Sequence, residues 1–333
     1  MTYTKHIKIW WQAIRFHFTF PTFLPVLLGT LNAILETGKW NKWSLCAVLF
    51  ATVCHHIGLN LADDYYDYCH GADLLKDGER NAYAGGSGVL TTGILTPSAV
   101  HMGAMICYAV TIIIGLILTY FHGWIILALG IFGVFSSFYY TAPPLRFAYR
   151  GLGEIAIWLN FGPVLVLGSY YVQAHTISLS AILLSILMGT LIFCLIMANE
   201  IPDKETDEAS GKRTLVVRLG KKSGLLGVII GIALIFGILV IAIKKDIWPM
   251  ILTVAFLALP IGYFGIKTLA KTMNTNKIHG NEFIVGFCNI LGILLVSAFS
   301  YVLFRIGNYV PAYIILGTLI MLYIPIVFAK SPG

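Results

Sequence analysis

His55-His56-Ile57-Gly58-Leu59-Asn60-Leu61-Ala62-Asp63-Asp64-Tyr65-Tyr66-Asp67 closes an apolar run that begins near residue 44. A run of about 20 apolar residues, at 1.5 Å of rise each, matches the roughly 30 Å hydrocarbon core of a bilayer. The stretch therefore reads as a membrane span whose end carries acids. If the helix persists past the apolar run, Asn60, Asp64 and Asp67 share one face by the i, i+4, i+7 rule.

The rest of the 333-residue chain has the same texture. It is 58% hydrophobic and 11% charged, against about 25% charged in soluble proteins, and no water-soluble fold hides so much apolar side chain. Spans are expected near 20 to 37, 44 to 63, 98 to 120, 123 to 141, 153 to 172, 178 to 199, 223 to 243, 248 to 269 and 283 to 304. A tenth candidate, 309 to 329, contains Pro311 and Pro325, and proline removes a backbone donor and bends a helix. The expectation is an all-α transmembrane bundle of nine spans, ten if 309 to 329 also crosses, in one membrane-embedded domain over 1 to 333. Within the first 19 residues, 6 to 19 with Trp10, Trp11, Phe16 and Phe18 reads as an interfacial lead-in helix and not a removable signal peptide. The six cysteines are scattered with no C-x-x-C pair, so neither a zinc site nor a disulfide framework is indicated.

Charge sets the expected orientation. With ten spans and the N-terminus inside, 17 of the 22 Lys and Arg residues fall on the inner side, as the positive-inside rule favours. Both acidic segments then face the cytoplasm, in a multi-pass protein of the cell (inner) membrane. The net charge of +7 follows from basic loops beside anionic headgroups, and no nucleic-acid motif accompanies it.

The first acidic segment has a counterpart. The sixth span ends in Asn199-Glu200-Ile201-Pro202-Asp203-Lys204-Glu205-Thr206-Asp207, so that Asn60 and Asp64 recur 139 positions later as Asn199 and Asp203. Two half-repeats each end one helix in N-x-x-x-D. Carboxylates this close repel, and bringing them near a bilayer is costly unless a cation compensates. Hard oxygen ligands at this density suit Mg²⁺, which shares its shell with waters and substrate phosphates. Asn60, Asp64, Asp67, Asn199, Asp203 and Asp207 are the candidate ligands, with Asp63 and Asp73 as further members. Two facing clusters could hold a diphosphate through two or more bridging ions. The bland alternative is a pair of ordinary polar helix ends.

A diphosphate also asks for fixed positive charge. Ser210-Gly211-Lys212-Arg213-Thr214-Leu215 follows the second segment and offers Lys212 and Arg213. After the first segment, Asn81-Ala82-Tyr83-Ala84-Gly85-Gly86-Ser87-Gly88 could bring backbone N–H groups and Ser87 to an anion; it lacks the G-K-[ST] ending of a P-loop. The loop after the fourth span, Tyr139-Tyr140-Thr141-Ala142-Pro143-Pro144-Leu145-Arg146-Phe147-Ala148-Tyr149-Arg150, places Arg146 and Arg150 at the inner rim and Tyr139 or Tyr140 where an aromatic face could stabilise a cation. Headgroup anchoring explains the same residues. His55 and His56 read as hydrogen-bonded helix residues, His56 standing four before Asn60.

N-L-A-D-D-Y-Y-D-Y-C-H-G-A-D at 60 to 73, Y-T-A-P-P-L-R-F-A-Y-R-G-L-G-E at 140 to 154 and N-E-I-P-D-K-E-T-D-E-A-S-G-K-R-T-L at 199 to 215 together resemble the UbiA superfamily of intramembrane prenyltransferases, over roughly 8 to 305. Within it the chain is most similar to the branch that prenylates 1,4-dihydroxy-2-naphthoate in menaquinone synthesis. It departs from that branch at Asp63, where Asn is frequent, and at Arg15-Phe16, where Arg-Pro is frequent. The resemblance implies a nine-span bundle around a central cavity, with a lateral opening for lipid and Mg²⁺ and diphosphate held by the two acidic motifs. It implies transfer of a polyprenyl group from an allylic polyprenyl diphosphate to an aromatic acceptor, with loss of the acceptor's carboxylate to give a demethylmenaquinone. In that scheme Asp64, Asp203, Lys212, Arg213 and Tyr140 carry the chemistry, while Asn60, Asn199, Arg146, Arg150 and Ser87 bind diphosphate or acceptor. Two alternatives stand beside it: another acceptor (4-hydroxybenzoate, a glycerol-phosphate lipid or a tetrapyrrole), and, from a different class, a secondary transporter.

Overall fold

The computed structural model describes residues 3–73, 86–273 and 281–313, together with Ile315 and Gly317. Among the described residues every regular element is a helix. In chain order they are α1 (Tyr3–Ile14), α2 (Phe20–Thr37), α3 (Lys42–Cys69), α4 (Pro97–His122), α5 (Trp124–Phe138), α6 (Gly153–Leu159), α7 (Gly168–Ala174), α8 (Leu179–Ala209), α9 (Leu215–Leu219), α10 (Lys221–Lys244), α11 (Leu259–Thr272) and α12 (Glu282–Arg305).

Local chemistry explains the boundaries. α1, the expected lead-in helix, stops where Arg15 takes a left-handed φ of 48°, a conformation that costs a non-glycine residue roughly 1–2 kcal/mol. α2 ends on Gly38, whose φ of 66° lets its N–H reach the Ile34 carbonyl at 2.8 Å. α3 starts on Asn41, whose side chain accepts from the Trp43 and Ser44 amides, and α8 on Ser178, which accepts from the Ala181 amide.

Seven helical stretches are long and apolar enough to cross a membrane: α3, α4, 153–174, α8, α10, 250–271 and α12. The other two of the expected nine are shorter elements, α2 at 18 residues and α5 at 15. The fifth span is one helix interrupted by a π-helical stretch, Asn160–Leu167, which contains Pro163 and joins α6 to α7. The eighth begins as a 3₁₀ stretch, Met250–Ala258, before Pro260 opens α11. Of the tenth candidate, helical residues appear from Tyr309, and 318 to 329 lie outside the described residues.

α8 is the axis of the bundle. Two thirds of its apolar window (67%) is buried, against 17% for α4, so α8 is enclosed by protein and α4 faces outward. α8 lies along α10 and along the π-helical stretch, while α3 lies along α4. Leu24, Leu27 and Leu31 of α2 meet Leu187 and Leu191 of α8 and Phe287 and Phe299 of α12 in the main core. At Gly162 and Gly189 the two backbones touch: a Cβ on Gly189 would stand 2.7 Å from the Trp158 carbonyl oxygen. Small residues at such crossings let membrane helices approach closely. On α4, Ile106, Ile113, Ile117 and Phe121 are exposed at helical spacing, a lipid-facing stripe. Trp43, Tyr120 and Trp124 are exposed at neighbouring helix ends and form an aromatic belt at the face opposite the acidic ends.

Candidate active site

Both acidic segments remain helical beyond their apolar runs. α3 continues to Cys69 and α8 to Ala209, the latter passing through Pro202. Asn60, Asp64 and Asp67 consequently share one inward face, 8%, 3% and 4% exposed. So much buried carboxylate requires compensation.

Arg15 supplies the first part. Its turn outside α1 aims the guanidinium at α3, where Nη2 lies 3.3 Å from Asp64, 3.5 Å from Asp63 and 3.3 Å from the Asn60 carbonyl. Asn60 Nδ2 donates back to the Ile14 carbonyl at 3.1 Å. Burial works against the guanidinium's charge, but Asp64, Asp63 and Asp73 outweigh it and push its pKa further up. Arg15 therefore leaves a cation planted in the first acidic motif.

Lys212 supplies the second. The turn after α8, closed by Lys212 N–H on the Asp207 carbonyl at 2.9 Å with Gly211 at φ 80°, sends its side chain across to α3. Lys212 Nζ is 2.5 Å from Asp67 Oδ2, and Tyr149 donates its hydroxyl to Asp67 Oδ1 at 2.8 Å. Burial lowers the lysine's pKa, and Asp67, Asp63 and Asp207 more than restore it, leaving it well above the ordinary value. The two repeats thus meet on one carboxylate.

The glycine-rich loop touches the same cluster. The Ser87 amide donates to both oxygens of Asp64, at 3.1 and 3.3 Å, and Gln12 Nε2 donates to the Ser87 carbonyl at 2.9 Å. Gly86 lies so close to the Asp73 carboxylate that a Cβ would stand 2.5 Å from it. The loop's earlier part, Asn81 to Gly85, lies outside the described residues.

In the second motif, Asp207 is 6% exposed beside Lys212, Asp203 is half-buried one turn before it, and Asn199 Oδ1 accepts from Asn281 Nδ2 at 2.8 Å. Other expected members stand apart from the cluster. Arg213 is exposed, its carbonyl accepting from Arg218 Nε at 3.0 Å. Arg150 is exposed and donates to the Pro144 carbonyl at 2.9 Å, while Arg146 lies over the Tyr149 ring at 5.3 Å. Tyr140 is inward of the carboxylates, with Asp63, Glu200 and Glu154 among its charged neighbours.

Two residues were not singled out from sequence, Tyr149 and Glu154, and Arg15 was noted there only beside Phe16, with no role in the site. Glu154 is 1% exposed and accepts the Leu215 amide at 2.6 Å, pinning the start of α9 and with it the Lys212 turn. Glu200, 7% exposed, stands beside it. The signal for Glu154 was an ionisable residue opening an apolar span.

Among the described residues, no three His, Cys, Asp or Glu side chains form a ready metal-ligand set. Arg15 and Lys212 hold the carboxylates instead. The donor chemistry is nonetheless that of a hard divalent cation: Asp64 and Asp67 on α3, Asp203 and Asp207 on α8, and two asparagine amides, with more buried acid than the two cations neutralise. Inward of the cluster, between α3, α5 and the α6–π stretch, lies a partly open cavity of about 50 Å³ lined by Leu59, Tyr140 and Phe161 among others.

Comparison with known proteins identifies the family. Residues 22–277 match the model of the UbiA prenyltransferase family. The chain is 30% identical over 256 residues to the 1,4-dihydroxy-2-naphthoate octaprenyltransferase of Bacillus subtilis (strain 168), covering 76% of this chain and 79% of that protein. It is 32% identical over 197 residues to the enzyme of the same name from Mycobacterium tuberculosis (strain ATCC 25618 / H37Rv), covering 59% of this chain and 64% of that one. In fold it is similar to a UbiA homolog from Archaeoglobus fulgidus solved with DMAPP and Mg²⁺, with a TM-score of 0.66 and 13% identity over 92% of this chain and 99% of that one. The chain belongs to the UbiA prenyltransferase family and is a multi-pass membrane prenyltransferase.

Proposed function

We propose that the chain transfers a polyprenyl group from an allylic polyprenyl diphosphate to 1,4-dihydroxy-2-naphthoate, within the inner membrane and from its cytoplasmic face. The observation that carries this reading is the meeting of both acidic helix ends on Lys212, directly above a cavity open to the bundle interior. The naming of the Bacillus subtilis and Mycobacterium tuberculosis relatives supports the acceptor. The basic inner loops support the orientation, and α2 and α5 complete nine spans.

Mg²⁺, when bound, neutralises the diphosphate and makes it a better leaving group. Asp64, Asp67, Asp203 and Asp207, with Asn60 and Asn199, are the residues that would hold it. Lys212, at the junction of the two acidic helix ends, offers its ammonium to the phosphate oxygens, where negative charge grows as the C–O bond breaks. Arg15 keeps Asp63 and Asp64 oriented. The C–O bonding pair leaves with the diphosphate, a ring carbon of the acceptor bonds to the allylic carbon, and the ring sheds its carboxylate as CO₂. The apolar walls of the cavity limit the water around the allylic cation, and Tyr140 lends it an aromatic face.

The test is transfer by purified protein with labelled polyprenyl diphosphate and dihydroxynaphthoate. Asp64→Ala and Asp203→Ala should each abolish prenyl transfer while the protein still inserts, and chelation of Mg²⁺ should do the same reversibly. Normal turnover in either variant with excess Mg²⁺ would sink the metal-site assignment.

A further inference from the structure

His56 lies four residues, about 6 Å of helix rise, inward of Asn60, and it lines the cavity. Its Nδ1 is held 2.5 Å from Thr22 Oγ1, which leaves Nε2 as the ring nitrogen available to the cavity. Phe161 stands edge-on to the imidazole at 6.1 Å and 80°. His55, its neighbour, is turned away to Ser137 Oγ at 2.5 Å.

The facing wall is polar as well. Asn160 Nδ2 donates to the Ala156 carbonyl and to Ser136 Oγ, both at 2.7 Å. A carbonyl can only accept, so the amide's orientation is fixed, and Oδ1 is left buried with no protein partner. Asn160 also opens the π-helical stretch, a distortion that recurs at functional sites. Leu59, Ile157, Val164 and Leu165 supply the apolar surface between these groups.

A hydrocarbon chain gains nothing from a histidine nitrogen and an amide oxygen, and covering them without partners carries a penalty. A flat aromatic ring with hydroxyls at its edge matches both the apolar walls and the few polar atoms. Tyr140 lines the cavity and has Asp63 and Lys212 among its charged neighbours, so the cavity adjoins the diphosphate end of the site.

We infer that His56 is the residue that seats the aromatic acceptor, its Nε2 bonding a ring hydroxyl of a phenol or hydroquinone. The inference rests on the prenyl-transfer reading above and adds the acceptor's place within that site. Fixing one hydroxyl fixes which ring carbon faces the diphosphate-bearing carbon, so His56 is a specificity-determining contact.

The test uses the full chain in detergent with Mg²⁺, a polyprenyl diphosphate and 1,4-dihydroxy-2-naphthoate. His56→Leu, close in volume and unable to hydrogen-bond, should raise the acceptor KM about tenfold or more, the range of one lost buried hydrogen bond, with the donor KM unchanged. His56→Gln should recover most of the loss. Equilibrium binding of the naphthoate and of its monomethyl ether gives a second measure independent of turnover. The ether should bind wild type more weakly than the naphthoate, and His56→Leu should bind the two alike. Unchanged acceptor binding in His56→Leu overturns the inference, as does a shift that falls on the donor KM, which would place the isoprenoid in the cavity. If wild type binds the naphthoate through His56 yet transfers no prenyl group to it, the seat stands and the proposed reaction falls. Donor binding at wild-type strength shows that each variant is folded.

Discussion

At the scale of single residues, Lys212 and Arg213 are the sharpest contrast. Adjacent positions in a turn point apart, and here one ammonium crosses 145 residues of sequence to Asp67 while the guanidinium beside it is exposed. Lys212→Met should therefore lower kcat by about 10² to 10³, the usual loss for a group that meets developing charge. Arg213→Met should stay within about twofold, as surface substitutions do. Equal losses in steady-state assays would contradict the geometry. Arg15 permits a different measurement. Removing one partner of a buried charge pair costs roughly 3–5 kcal/mol, so Arg15→Ala should lower the thermal midpoint of the metal-free protein. Because a divalent ion supplies the missing charge, Mg²⁺ should raise the variant's midpoint more than wild type's. The shared face of Asn60, Asp64 and Asp67 was legible from helical spacing alone. The target of Arg15 was not, because 48 residues separate it from Asp63 and only tertiary packing brings them together.

At the scale of elements, the informative features are a continuation and a break. α3 and α8 persist past their apolar ends, which carries the acidic motifs on rigid helices and not on loops. The repeated N-x-x-x-D spacing anticipated this. The break at Asn160–Leu167 was not legible: Pro163 marks a disturbed helix, but periodicity does not distinguish a kink from a π-helical stretch. That stretch can run against α8 only because Gly162 and Gly189 lack side chains at the contact. Gly189→Val should destabilise the protein by about 1–3 kcal/mol through overpacking, read as a lower unfolding temperature in detergent. Gly115→Val, at a position where a Cβ meets nothing within 4 Å, should leave it unchanged. Similar behaviour of the two would show that the helices are not in close contact.

At the scale of the whole molecule, the acidic ends of α3 and α8 lie on the same face of the bundle, and the aromatic belt lies at the other. The orientation has a direct check. Cys69 is exposed at the acidic end of α3, so in a variant retaining only that cysteine an impermeant maleimide should label inside-out vesicles and spare right-side-out ones. The reverse pattern would invert the proposed topology. Membrane character was legible from composition, and the helix-by-helix division was legible wherever a span was long. The shorter α2 and α5 were legible too, expected near 20 to 37 and 123 to 141 and found at Phe20–Thr37 and Trp124–Phe138. The pairing of Asp67 with Lys212 also bears on how the molecule is made. A ribosome delivers α3 long before residue 212, so the nascent chain carries three carboxylates at a membrane surface with their second cation still unsynthesised. Arg15, translated first and already within reach of Asp63 and Asp64, is the counter-charge available during that interval. The same guanidinium that orders the finished site thus shelters its first half during insertion, and its loss should show as poorer yield of inserted protein as well as weaker metal-free stability.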